Sequence, residues 1–461
     1  MNRNGCAIIL ILVTFAAIPA PGEDWTRFRG PNGSGIAQGN GYPSEFGPDQ
    51  NVAWKASVRP GKSSPVLSER HIFLTAFEDG KLFTQCYDRQ TGKLAWEQSV
   101  EQTRQADLHQ LNEPASVAPV TDGENVYVFF RDVGLISYDA TGKHRWTTPL
   151  GPFANFMGQS SSPIIADGRI VLQLDQEEGS YVAAFNPRNG EIEWKAPREE
   201  GQGWATPLIY DSSGGAQLVT VSRSWIGGHR LDNGKRLWGE KAIPPAIVAS
   251  PVLNGDTVYT FGYGNDANRS WEPAFLKKDK DGDGALNLSE HGDHAFMAGL
   301  AKYTGNKDGL LTMEEWVAGA NTTVAPSSLV AFRFGEGGEP KELWRYEKAF
   351  NYVIPTALIY DNVIYLIKNG GILETLDAET GERLKQGRVR EAIEGYTASP
   401  VAADGKVYLT SEAGKIAVLR AAGQWEITNV NDLAEEIFAT PALSNGKLFI
   451  RTANHLYAFG E

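Results

Sequence analysis

One short phrase recurs along this chain about every 44 residues, and that recurrence limits the fold more than any single motif does. A small or polar residue precedes a proline, and an apolar run follows it. The phrase reads SSPVL at Pro65, VAPVT at Pro119, SSPII at Pro163, ATPLI at Pro207, ASPVL at Pro251, VIPTALI at Pro355, ASPVA at Pro400 and ATPAL at Pro441. Between Pro251 and Pro355 the interval lengthens by about 60 residues, so one unit carries an insertion. A second phrase closes most units. YDRQTGKLAW, YDATGKHRW, FNPRNGEIEW and LDNGKRLW end at Trp96, Trp146, Trp194 and Trp238, and a stretched version ends at Trp344. LDAETGERLK puts Lys385 where the tryptophan belongs, and the next unit offers Trp425.

Runs of period two such as NVYVFF and KVYLTS mark strands, and the glycine turns between them mark hairpins. Each unit is therefore four short antiparallel strands, A to D, with the proline opening A and the tryptophan on D. Such units repeated around an axis are propeller blades. The last unit runs out after three strands at HLYAFGE. The missing fourth lies near the other end, in NVAWKASV with Trp54 at the expected place. The expected fold class is all-β: an eight-bladed β-propeller whose N-terminal strand closes the last blade, plus a small helical insert. Tryptophans at a fixed register on outer strands are expected to pack between neighbouring blades. Lys385 then marks a more weakly tied interface. Fifty glycines and 24 prolines suit so many tight turns.

A net charge of −13 without any basic run argues against a nucleic-acid partner, which needs clustered Lys and Arg. Residues 1–22 read as a secretory leader. Arg3 supplies the positive region, CAIILILVTFAAI is the apolar run, and Ala20 stands three positions before a cut after Gly22. An exported chain, periplasmic or extracellular, is expected, with no membrane span after cleavage. Cys6 leaves with the leader. Cys86 is then alone and is expected as a small buried apolar residue.

The insertion, residues 264–326, carries DKDGDGALNLSE. Calcium needs hard oxygens on a tight loop bent at a glycine. Asp279, Asp281 and Asp283 fill loop positions 1, 3 and 5, with Gly284 at 6. Ala285 offers its carbonyl at 7, Asn287 stands at 9 and Glu290 at 12. A second loop, TGNKDGLLTMEE, pairs with it through Asn306, Asp308 and Glu315, but position 1 is the uncharged Thr304. Calcium is the expected cofactor, held by a pair of EF-hands. These divide the propeller into residues 23–263 and 327–461. The insert falls between strands B and C of the fifth blade, on the face where the D–A connections also lie.

The DxxTGKxxW turns, the SPV strand starts, the lead-in WTRFRGPNGSGIA, ASPVAADGKVYLTSEAGKIAVL and the terminal RTANHLYAFG carry a resemblance. The chain resembles the pyrroloquinoline-quinone (PQQ)-type β-propellers, a group that includes quinoprotein alcohol dehydrogenases and BamB-like outer-membrane assembly scaffolds. The dehydrogenases clamp their cofactor with a ring of adjacent cysteines, which this chain lacks. His109 and Glu113 in LHQLNEPAS read as a polar loop. What remains is a mouth just before the A strands, where Gln159, Trp204, Tyr352, Tyr396 and Phe438 are the candidate lining residues. A concave mouth of aromatic and amide groups suits a protein or glycan partner. The reading is an exported, non-catalytic binding or scaffold propeller with a calcium-binding insert; the alternative is a PQQ-dependent quinoprotein-type oxidoreductase.

Overall fold

The computed structural model describes residues 25–460 apart from 105–107, 110, 156, 213–214, 246–247, 265–271, 292–300, 302–304, 322–324, 336–337 and 348–352. The leader and Thr304 lie outside the described residues. Eight four-stranded antiparallel sheets form the propeller. Blade 1 is Val66–Leu67, His71–Glu78, Lys81–Asp88 and Leu94–Glu101. Blades 2 to 4 repeat the pattern from Val120, Ile164 and Leu208, and blades 6 and 7 from Leu358 and Val401. Blade 5 pairs Thr257–Gly262 with Ser328–Phe334, so the insert does leave between its B and C strands. Blade 8 takes Ala442–Ser444, Lys447–Arg451 and His455–Phe459 from the end of the chain and Val52–Ser57 from its beginning. The ring thus closes through strand pairing, which leaves no open blade edge at the junction.

The glycine-to-tryptophan spacing has one geometric cause. The turn glycines Gly92, Gly142, Gly190 and Gly234 take left-handed φ values of 69° to 83°. A Cβ on Gly190 would sit 2.4 Å from the Trp146 ring, and one on Gly92 would sit 2.3 Å from Trp54. Each glycine is thus the flat seat for the indole of the preceding blade. The indole N–H then donates to a carbonyl of the same turn: Trp54 to Arg89 (3.1 Å), Trp96 to Ala140 (2.9 Å), Trp146 to Pro187 (3.1 Å) and Trp194 to Leu231 (2.9 Å). Trp238 is the exception. Blade 5 has a stretched C–D connection, and Trp238 bonds Gln217 of its own blade instead (2.8 Å).

Two expectations need correction. Trp425 does not occupy the repeat position in blade 7. The strand register puts Asn429 there, opposite Val418, and Asn429 donates to Ser44 O of the N-terminal segment. Trp425 lies in the preceding turn. Nor is the interface at Lys385 loosely tied. The Lys385 ammonium donates to Trp425 O (2.5 Å) and stands 4.2 Å from the centre of that indole. Gln424 donates to Leu384 O and Thr375 to Gly423 O, so a cation and two polar bonds replace one indole. Cys86 is buried and free, as expected.

Candidate functional site

The eight A strands begin around the central channel, and two residues of each blade line its upper half. Three positions before the proline, or before Ala357 in blade 6, stand Lys62, Ser116, Ser160, Trp204, Val248, Ile354, Thr397 and Phe438. One position before it stand Ser64, Ala118, Ser162, Thr206, Ser250, Thr356, Ser399 and Thr440. These two rings enclose a cavity of about 210 Å³, with His109, Leu111, Asn112, Met157 and Tyr263 added from the loops above.

The inner ring explains why a hydroxyl so often precedes the proline. Each hydroxyl accepts the backbone N–H of the equivalent residue in the preceding blade. The bonds run from Ala118 to Ser162 (3.3 Å), Ser162 to Thr206 (2.9 Å), Thr206 to Ser250 (3.0 Å) and Ser250 to Thr356 (2.9 Å). They continue from Thr356 to Ser399, Ser399 to Thr440 and Thr440 to Ser64, each 3.0 Å. The belt spans seven of the eight junctions. At the eighth, between blades 1 and 2, Ala118 has no hydroxyl to offer. There Thr75 reaches Ala115 O and Val117 O, and Lys62 N donates to the Glu113 carboxylate. Glu113 is thereby engaged by backbone.

The N-terminal lead-in forms the floor. Trp25 and Thr26 accept from Leu67 N and Thr121 N of blades 1 and 2. Arg27 donates to Pro207 O (2.8 Å), and Asn32 exchanges two bonds with the Ile209 backbone in blade 4. Arg29 reaches Ala357 O (3.1 Å) and Pro400 O (3.3 Å) in blades 6 and 7. Gly35 and Ala37 pair with Ala402. Gly30 must be glycine, since its φ is +66° and a Cβ would lie 2.4 Å from Trp25. The segment is a plug, and Phe28 faces the cavity as its base. Both guanidiniums are fully buried, and desolvation lowers each to about 9.

Of the candidate mouth residues, Trp204 and Phe438 line the cavity. Trp204 is held by its N–H to Gly158 O (2.9 Å). Gln159 and Tyr396 do not line it. Gln159 is buried and donates to Asp175 O (3.0 Å), while the Tyr396 hydroxyl donates to Ala392 O (2.7 Å) inside the blade 6–7 core. Tyr352 lies outside the described residues. Counting from Pro355 pointed to it, but the hydroxyl belt shows that Ala357 takes the proline position in blade 6, which puts Ile354 in the outer ring.

In the insert, the carboxylates of Asp279, Asp281 and Asp283 each bring an oxygen within 4.8 Å of the others. Gly284 has φ +85° and its N–H donates to Asp279 (3.1 Å). Glu290 folds back over the loop, accepting from Lys280 N (2.8 Å) and Asn287 N (3.1 Å). The N–H groups of Asn287 and Lys280 hold its carboxyl below the usual range. Ala285–Leu286 pairs with Leu311–Thr312, joining the two loops by a short antiparallel bridge. Phe275 and Trp316 meet edge to face beneath it, 5.7 Å apart. In the second loop Asn306 donates to Asp308, and Glu315 accepts from Asn306 N and Thr312 N. Lys307 of this loop pairs with Glu178 in the B–C connection of blade 3 (2.5 Å). The donor set of the first loop, hard carboxylates around a left-handed glycine, fits a calcium ion.

Residues 44–268 and 336–460 match the family described as outer membrane protein assembly factor BamB. The chain belongs to this BamB family of PQQ-like propellers. The break in the match falls on the insert, which is thus an addition to the BamB plan. A curated relative, the outer membrane protein assembly factor BamB of Yersinia pestis, is 20% identical over 339 residues, covering 73% of this chain and 71% of that protein. Among solved structures, BamB from Moraxella catarrhalis superposes with a TM-score of 0.56 at 13% identity, over 88% of this chain and 98% of that one. A europium-containing methanol dehydrogenase superposes with a TM-score of 0.60 at 10% identity, over 95% and 98%. At these identities the superpositions show the shared propeller fold. No helix among the described residues of this BamB-family chain is long and apolar enough to cross a membrane.

Proposed function

We propose that this chain is an exported, non-catalytic binding propeller, periplasmic or extracellular, whose plugged mouth receives a protein partner. The observation that carries the reading is the two-ring cavity closed at its base by Phe28. Its described lining offers aromatic and hydroxyl groups, one lysine and one histidine. Such a lining is suited to holding a ligand. The name of the Yersinia relative, an assembly factor, supports a protein over a glycan as the partner.

A photo-reactive residue at Phe438 or Trp204 is expected to form one discrete protein adduct in the native cell envelope. The same probe at Asp167, on the opposite face, is expected to give none. Equal adducts from both faces would sink the reading. The alternative, a PQQ-dependent oxidoreductase, is tested by adding PQQ and calcium and following alcohol-dependent dye reduction. No turnover is expected; turnover would make the chain an enzyme.

The insert is proposed to bind calcium through Asp279, Asp281, Asp283, the Ala285 carbonyl, Asn287 and Glu290. Bound calcium would supply charge neutralisation within the loop. The chain's own part is to hold the carboxylates together and, through the Leu286–Leu311 bridge, to set the second loop beside blade 3. An affinity of about 10⁻⁴–10⁻³ M suits an extracellular module. Calorimetry is expected to show Glu290→Gln weakening the ion at least about tenfold, ~1.4 kcal/mol. Asn306→Ala in the second loop is expected to change it less. An unchanged titration for Glu290→Gln would remove the site.

A further inference from the structure

We infer that the base of the channel is a carboxylate site, shaped for one carboxyl group on a compact apolar body; this rests on reading the mouth as a binding site. The first observation is the hydroxyl belt. Its seven Ser and Thr side chains are each 3–8% exposed. Each accepts an N–H, but none has an acceptor for its own O–H among the described residues. A buried hydroxyl carries a donor as well as lone pairs, and leaving that donor unused is unfavourable. Seven such donors ring one axis, at the wall of the cavity.

The second observation is charge. Arg27 and Arg29 lie just beyond the belt and are buried, 7% and 0% exposed. Their acceptors are main-chain carbonyls, among them those of Pro207, Ala357 and Pro400, each one residue past a belt hydroxyl. No carboxylate pairs with either guanidinium among the described residues. Lys62, in the outer ring, adds a third cation on the same axis. Buried positive charge without a carboxylate partner favours an anion nearby, because the surrounding medium screens little.

The third observation is the wall above. Met157, Trp204, Tyr263 and Phe438 suit an apolar body, and about 210 Å³ limits its size. Among the described lining residues only Lys62 brings a formal charge, so neutral O–H donors must hold the anion, which favours a monoanion over a phosphate. A carboxylate of this kind is offered by a free small acid or by the C-terminus of a partner chain.

The test titrates N-acetyl-leucine and its amide into the full mature protein, following Trp204 fluorescence and heat. A pentapeptide ending in leucine, as acid and as amide, is titrated alongside. Both acids are expected to bind at least about tenfold more tightly than their amides. Thr206→Val and Thr356→Val are expected to weaken the acids three- to tenfold and leave the amides alone, with Thr206→Ser restoring the acid. A peptide acid tenfold tighter than N-acetyl-leucine assigns the site to a chain terminus; equal affinities assign it to a free acid. Acid and amide binding alike would overturn the carboxylate and leave an apolar mouth. If neither binds while the Phe438 probe still captures its protein, the carboxylate inference fails and the binding function stands. If that adduct is absent too, both fail.

Discussion

A chain shortened to begin at residue 59 is expected to melt at least about 5 °C below the full mature chain. The cut removes Val52–Ser57, which leaves His455–Phe459 as an open strand edge at the blade 8–1 junction. It also takes Trp54 from its seat on Gly92 and the Phe46 ring from Phe459, 4.8 Å away. Several kcal/mol of burial disappear together, and each kcal/mol moves the midpoint of a domain this large by about 1 °C. A second shortening, to residue 51, removes the plug but keeps the closing strand. It is expected to melt between the two and to lose carboxylate binding. Calorimetry on the three proteins decides the matter. A midpoint for the shorter form within about 2 °C of the full chain would mean that closure through strand pairing contributes little.

Trp146→Ala and Gly190→Ala are expected to destabilise the ring strongly and to do so through one contact. Removing the indole vacates the blade 2–3 interface, where Trp146 packs on Tyr127 (5.9 Å) and donates to Pro187 O. Loss of a buried tryptophan costs about 3–5 kcal/mol. Adding a methyl at Gly190 incurs about 1–2 kcal/mol for the left-handed backbone and also pushes the indole from its seat. With Trp146 already gone the clash with the indole vanishes, while the backbone term and the 2.5 Å approach to Thr148 Oγ1 remain. The double variant should therefore be less destabilised than the sum by about 1–2 kcal/mol in urea unfolding. Strict additivity would show that the glycine is required for its backbone and for Thr148, and not for the indole.

The eight blades, their strand order and the closing N-terminal strand were legible because period-two runs and a repeated turn specify them locally. The mouth was legible only in part. A count from the nearest proline finds Trp204 and Phe438, but it misplaces blade 6, because Pro355 is displaced from the register that Thr356 and Ala357 keep. Trp425 misleads in the same way: a tryptophan near the right place draws the eye, while the register assigns Asn429. The hydroxyl before the proline was visible at six blades, yet its purpose is a bond to another blade and has no signature within one repeat. The plug was the larger omission. WTRFRGPNGSGIA has no periodicity, and its role depends on carbonyls far along the chain from Arg27 and Arg29. The proposed calcium loop is the opposite case, since all its candidate ligands lie within twelve residues.

The belt of hydroxyls leaves a seam whose position has a consequence for how such a ring can be cut and rejoined. The chain's two ends meet in blade 8, but the belt's missing link lies between blades 1 and 2, where Ala118 stands. Covalent origin and the gap in the belt are therefore separate places. A circular permutant that joins residue 460 to residue 51 and opens in the connection after Glu101 would put its new ends at a junction that already lacks a rung. The same rearrangement between blades 6 and 7 would sever an intact one. The molecule thus marks, by a single alanine, the one junction where a new beginning severs no rung of the belt.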